Sequence, residues 1–354
     1  MDNPGPGLGP VPGSRGFETR GGRQMGEERL EKARQKASLA EQSMEAKRFE
    51  EAELRYTEAL ELAPGNLELF LKRAGARFAK GDFQGAMKDY STVLSQDPKE
   101  PQALYNRGVC KANLGLMEEA LEDYTRAIEV HPEWAGAYAV RGLARFCMEQ
   151  YEEAIRDLTK ALEIQPHMPD VLNARGHAHL VCGDYDLALA DFTKAMEMAP
   201  KWVDPLMSRG TVHLILGRET EALEDLDRAV EMAPESPDLR LARGSVLEAK
   251  GEGRRAEEDY RKALDLDPGS ARAAALLSRL LGRSQGDMAE ALQWAEAAVA
   301  GDPEDPCAWD AKAWALFRLG KTQEALACAQ RAVSLDPSDS DLRKHLQIIR
   351  SACP

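Results

Sequence analysis

The sequence predicts an all-α solenoid of nine helix-turn-helix units followed by a C-terminal capping helix. Three observations predict it. Prolines stand at Pro64, Pro98, Pro132, Pro166, Pro200, Pro234, Pro268, Pro303 and Pro337, spaced by 34 residues with a single step of 35. Twelve residues before each stands an alanine: Ala52, Ala86, Ala120, Ala154, Ala188, Ala222, Ala256, Ala291 and Ala325. Between these marks, segments such as "EEALEDYTRAIEVHP" (118–132) repeat apolar residues at three- and four-residue steps. That is the spacing of one helix face. A fixed period of this length marks a stack of supersecondary units rather than one globular core.

Each unit reads as two helices. The first carries motifs such as "ALYNRGVCKANLG" (103–115), and a turn with glycine follows, as at Gly115, Gly183, Gly217 and Gly320. The second helix stops before proline, which drives the preceding residue out of helical geometry. The nine units are 33–66, 67–100, 101–134, 135–168, 169–202, 203–236, 237–270, 271–305 and 306–339, with 26–32 extending the first helix. Residues 1–25 are rich in Gly and Pro and are expected to form a disordered tail. The eighth unit has one extra residue near "GRSQGD" (282–287), which predicts a longer turn. In 340–354, Ser340 is the expected N-cap of a helix placing Leu342, Leu346 and Ile349 on one face, a cap over the last repeat.

This pattern resembles the tetratricopeptide repeat over residues 33–339. Position 8 of each unit is small: Ala40, Ala74, Gly108, Gly142, Gly176, Gly210, Gly244, Ser278 and Ala313. Position 24 is large in seven units (Tyr56, Tyr90, Tyr124, Leu158, Phe192, Leu226, Tyr260), then Ala295 and Ala329. The resemblance implies a right-handed superhelix whose concave wall is lined by the first helices at positions 2, 5, 6, 9, 12 and 13. Here the central wall is Tyr105, Asn106, Val109, Ala139, Val140, Leu143, Asn173, His177, Met207, Ser208 and Thr211. An apolar middle with a few amides and hydroxyls suits an extended peptide or an amphipathic helix of a partner protein. The carboxylate clamp that some relatives use for chaperone tails is not expected. Asn106 matches one clamp position, while Leu71, Gly75, Gly136 and Val140 occupy the other four. The resemblance thus implies a non-catalytic scaffold or adaptor. The alternative is a structural or regulatory subunit held through its convex face or ends, and self-association through the end repeats stays open.

A second periodic signal is electrostatic. Position 7 is Arg73, Arg107, Arg141, Arg175, Arg209 and Arg243 in units 2–7, and position 23 is Asp89, Asp123, Asp157, Asp191, Asp225 and Asp259. Units 1, 8 and 9 lack both. If the arginines paired backwards, Arg73 would face Arg55; if the aspartates paired forwards, Asp259 would face Leu277. Elimination leaves arginine–aspartate pairs within each unit, suited to the planar guanidinium fork. Asp170, Asp204 and Asp238 recur at position 2, where acids favour a helix start.

The net charge of −14 disfavours general contact with phosphate backbones or anionic lipid, so neither nucleic acid nor membrane is an expected partner. No run of apolar residues is long enough for a membrane span, and no leader is apparent. Six scattered cysteines without CxxC pairs read as reduced packing residues, which makes the cytoplasm the expected compartment. His177, His179, His213 and Cys182 do not form a metal pattern, since residues two apart on a helix diverge. Phosphate loops, zinc-protease motifs and nucleophile elbows are missing, so neither cofactor nor catalysis is expected.

Overall fold

The computed structural model describes residues 20–283 and 287–352, with side chains from residue 27. Among the described residues there are nineteen α-helices and no strand. They divide into two compact units, one through Ile164 and the other from Gln165.

In the first unit, helix pairs are α1 (Arg20–Glu45) with α2 (Phe49–Leu62), α3 (Leu67–Ala79) with α4 (Phe83–Gln96), α5 (Pro101–Asn113) with α6 (Met117–Val130), and α7 (Ala135–Cys147) with α8 (Tyr151–Ile164). The second unit pairs α9 (Pro169–Cys182) with α10 (Tyr185–Met198), α11 (Asp204–Ile215) with α12 (Glu219–Met232), and α13 (Pro237–Ala249) with α14 (Gly253–Leu266). It continues with α15 (Ala271–Arg283) and α16 (Met288–Gly301), then α17 (Pro306–Arg318) and α18 (Thr322–Leu335), and ends on α19 (Ser340–Ser351). Most of the expected tail, residues 1–19, lies outside the described residues, and α1 already begins at Arg20. The longer turn expected near 282–287 falls on 284–286, also outside them.

Local chemistry sets these boundaries. Prolines 101, 169, 237 and 306 sit in the first helical turn, where a missing N–H costs nothing. Asn66, Asp82 and Asp287 accept backbone N–H bonds at helix starts. The turns inside pairs need a left-handed residue, supplied by Gly115 (φ 79°) and its counterparts; where the sequence offers no glycine, Lys47 and Glu149 adopt φ of 55° and 61°. The N-cap of α19 is Asp339 rather than Ser340: its carboxylate accepts from Asp341 and Leu342, displacing the hydroxyl by one residue.

Close packing within pairs follows from size complementarity at positions 8 and 24. A methyl built on Gly108 would stand 2.6 Å from the ring of Tyr124, on Gly176 2.7 Å from Phe192, and on Gly244 2.5 Å from Tyr260. These rings are almost wholly buried. Each contributes about 2–3 kcal/mol of apolar burial. The nine alanines at position 20 are fully buried, so the second helix approaches the first without a gap. In unit 8, where position 24 is alanine, the hydroxyl of Ser278 donates to the Ala291 carbonyl at 2.7 Å. Helix α19 covers the last pair with Ile349, fully buried beside Leu316 and Ala329.

Candidate functional site

The first helix of each pair, here helix A, buries one side against its partner and leaves another face partly open. In the first unit they carry Tyr105, Asn106 and Val109 on α5, and Ala139, Val140 and Leu143 on α7. Tyr105 is half-buried and stacks on Trp134 with ring centroids 4.6 Å apart; burial raises its phenol above the ordinary value. Val109 and Val140 pack against the cluster around Tyr124, and Leu143 stands 44% exposed. Asn106 is half-buried with its neighbours. Ala139 is 6% exposed, its methyl too short to emerge between larger neighbours.

In the second unit, His177 lies edge-on to Phe192 at 5.1 Å, and its Nε2 is 3.2 Å from Oγ of Ser208. Burial holds the His177 imidazole below its usual pKa, so the ring is neutral near neutral pH. Ser208 is only 5% exposed; its hydroxyl is engaged with His177 rather than facing a ligand. Met207 packs partly into the core, and Thr211 is exposed with its hydroxyl donating to the Met207 carbonyl. The side-chain oxygen of Asn173 is screened from water without a hydrogen-bond partner. Val181 and Ile215, at position 13 of α9 and α11, are 53% and 51% exposed. The sequence reading passed over both, although their register was available.

The structure brings together all six arginine–aspartate pairs. In each, arginine Nε and Nη2 donate to the two carboxylate oxygens at 2.6–2.9 Å. The aspartates Asp89, Asp123, Asp157, Asp191, Asp225 and Asp259 are all buried. Two further features escaped the sequence reading. Position 11 supplies a second cation in units 2–4: Arg77 to Asp89 at 2.9 Å, Lys111 to Asp123 at 3.0 Å and Arg145 to Asp157 at 2.7 Å. The remaining Nη1 of Arg141, Arg209 and Arg243 reaches position 25 of the preceding repeat: Thr125 (3.1 Å), Thr193 (3.0 Å) and Asp227 (2.9 Å). One side chain therefore ties a pair together and joins it to its neighbour.

Among the described residues no three His, Cys, Asp or Glu gather as a metal site, and no helix is long and apolar enough to cross a membrane. The buried thiol of Cys110 is pushed up to about 12 and those of Cys307 and Cys328 also rise, mainly through burial, which disfavours the reactive thiolate.

Stacked antiparallel helix pairs with small residues at the crossing define a helical-repeat protein of the solenoid class. Sequence profiles described as the tetratricopeptide repeat match residues 43–103, 101–133 and 306–339, and in overlapping windows 139–202, 173–237, 207–271 and 241–306. The chain belongs to the tetratricopeptide repeat family. Among curated proteins, no sequence relative matches it. Among solved structures, a tetratricopeptide repeat protein from Parabacteroides merdae is similar at 22% identity and a TM-score of 0.56, over 71% of this chain and 99% of that one. The APC/C heterotetramer Cut9–Hcn1 is similar at 19% identity and a TM-score of 0.59, over 84% of this chain and 58% of that one. At these identities the likeness is one of fold.

Proposed function

We propose that this chain is a non-catalytic scaffold whose helix-A faces form a concave wall holding a peptide or helix of a partner protein. The family fold is in general a protein-binding scaffold rather than a catalytic one. The observation that carries the reading is the exposed apolar side chains on those faces, Leu143 in the first unit and Val181 and Ile215 in the second, each with half-buried polar groups on the same helix faces. Apolar surface with a few polar groups between is the composition that peptide grooves use. A cytoplasmic setting, with neither cofactor nor nucleic acid engaged, accords with the acidic composition and the cysteine usage.

The test is affinity capture from native extract followed by mass spectrometry, comparing wild type with a variant carrying Leu143→Glu, Val181→Glu and Ile215→Glu. All three side chains are about half exposed, so the fold is expected to tolerate the changes, and circular dichroism verifies helicity. Loss of a discrete captured set supports the wall. Capture of the same set by both proteins refutes it and moves attention to the convex face and the ends.

A further inference from the structure

We infer that the helix-A face of units 8 and 9 docks an acidic peptide segment, one carrying at least two Asp or Glu carboxylates separated by apolar residues. The inference rests on the wall reading above and names the partner's chemistry. Charge along this face of the second unit is segregated. In units 5–7 the six wall positions contain four acids, Asp170, Asp204, Asp238 and Glu248, and no Lys or Arg. In unit 8 the same positions hold Arg272, Arg279 and Arg283. Residues spaced by seven and four along a helix share one face, here over about 16 Å of axis. Three arginines in a row stand out in a chain of net charge −14.

These guanidiniums are not matched one-to-one by acids of the fold. Arg279 and Arg283 share the single carboxylate of Glu248, at 3.1 and 2.8 Å, and Glu248 also accepts from the Tyr260 hydroxyl at 3.1 Å. Nε of Arg279 is screened from water and has no partner. Arg272 is exposed, and no acid pairs with it among the described residues. Arg272 and Arg279 line a cavity of about 440 Å³ floored by Ala275 and Leu276. Two aspartates, Asp302 and Asp305, share that lining; each accepts one backbone N–H, from Glu304 and Cys307 respectively, and keeps its negative charge, so an acidic segment must reach the exposed Arg272 fork rather than fill the cavity. On unit 9, Asp310 is committed to His345 at 2.9 Å. The incompletely matched guanidiniums offer planar forks for carboxylates beside the apolar Ala275 and Leu276, which fits an acidic segment with apolar residues between its charges.

The test uses the full chain and three dye-labelled short peptides, of alternating Glu and Leu, Gln and Leu, or Lys and Leu, followed by fluorescence anisotropy. The Glu peptide is expected to bind about tenfold more tightly than either other peptide, and its affinity falls between about 50 and about 300 mM NaCl. Arg272→Glu, which breaks no ion pair in the fold, should weaken it about tenfold. The exposed Arg228→Glu on α12 serves as the control and should leave it unchanged. Equal binding of the Glu and Gln peptides, unchanged binding by Arg272→Glu, or no binding of any peptide overturns the inference. If the Gln or Lys peptide binds best and is lost with Val181→Glu and Ile215→Glu, the wall reading stands while its acidic specificity is refuted.

Discussion

Replacing Asp157 by alanine removes the acceptor of three charged hydrogen bonds at once. Arg141 donates from Nε and Nη2 at 2.8 and 2.7 Å, and Arg145 from Nη1 at 2.7 Å. The carboxylate side chain is 6% exposed, and those of the two arginines 13% and 24%. Stranding a fully buried charge costs about 3–5 kcal/mol. Both guanidiniums here lie at the edge of solvent and can partly rehydrate, which brings the expected loss to about 2–3 kcal/mol. The double variant Arg141→Met with Asp157→Leu fills the same space without charge and should recover more than half of that loss, leaving about 1 kcal/mol. Asp191 accepts only from Arg175 among its described hydrogen bonds, because the position-11 residue there is His179, which turns to Asp184. Asp191→Ala should therefore cost about 1 kcal/mol less than Asp157→Ala. Urea unfolding monitored by circular dichroism measures the total. Hydrogen exchange on α7 and α8 localises it, which matters because a repeat array need not unfold in one step. A loss below about 0.5 kcal/mol for Asp157→Ala would show that the pair behaves as an exposed one. A double variant no better than the single would show that the arginine stabilises by some route other than this carboxylate.

Three further outcomes follow from the packing and the titrating groups. Gly176→Ala should destabilise by about 1–3 kcal/mol, since its methyl meets Phe192, whereas Gly75→Ala has open space and should stabilise by up to about 1 kcal/mol; thermal melts of the two variants must move in opposite directions. Ile349→Ala should cost about 2–4 kcal/mol locally and release α19, read as faster exchange in the last pair alone. The hydrogen bond from His345 to Asp310 raises the folded-state imidazole above its usual value. Protonation is thus favoured by folding, so the stabilisation of α19 is full below the ordinary imidazole range and fades as pH climbs through the raised value. His177 and His213, lowered mainly by burial, act in the opposite sense and lose their contribution as pH falls, so the readout must be exchange at α19 itself, where His345→Gln should abolish the pH dependence.

What could be read in the sequence is what recurs with the period. Alanine at position 20 and the small residue at 8 recur in all nine units, and a large apolar or aromatic residue at 24 in seven, because these pairs solve the same packing problem, so imperfect copies average out their differences. The arginine–aspartate pairing was legible for a sharper reason: units 1, 8 and 9 lose both partners together, and a coordinated loss reports a contact. The second cation was written at Arg77, Lys111 and Arg145, yet His179, His213 and Leu247 break the series, and a broken series is hard to distinguish from solvated charge. The Tyr105–Trp134 stack was hidden because Trp134 lies between helices, outside either helical register. The Ser208 hydroxyl meets a histidine 31 residues away, a contact that no periodicity encodes.

These misses share a cause that bears on function. Recognition of one partner rather than another requires units to differ, so specificity resides in departures from the period. The largest departure on the helix-A faces is the arginine set of unit 8, the unit that also lacks the internal arginine–aspartate pair and has alanine in place of the ring at position 24. Unit 8 has no internal carboxylate at position 23 to hold a guanidinium against the stack, and its arginines stand instead at positions 2, 9 and 13, where Glu248 of the preceding repeat meets only part of their charge. Removing Glu248 separates the structural and binding roles of these groups. Glu248→Gln removes the negative charge that both guanidiniums share and leaves an amide oxygen that can still accept from the Tyr260 hydroxyl. It should lower stability by about 1–2 kcal/mol while tightening binding of the Glu peptide. A variant that loses stability and binding together would show that Glu248 positions the arginines rather than competing for them.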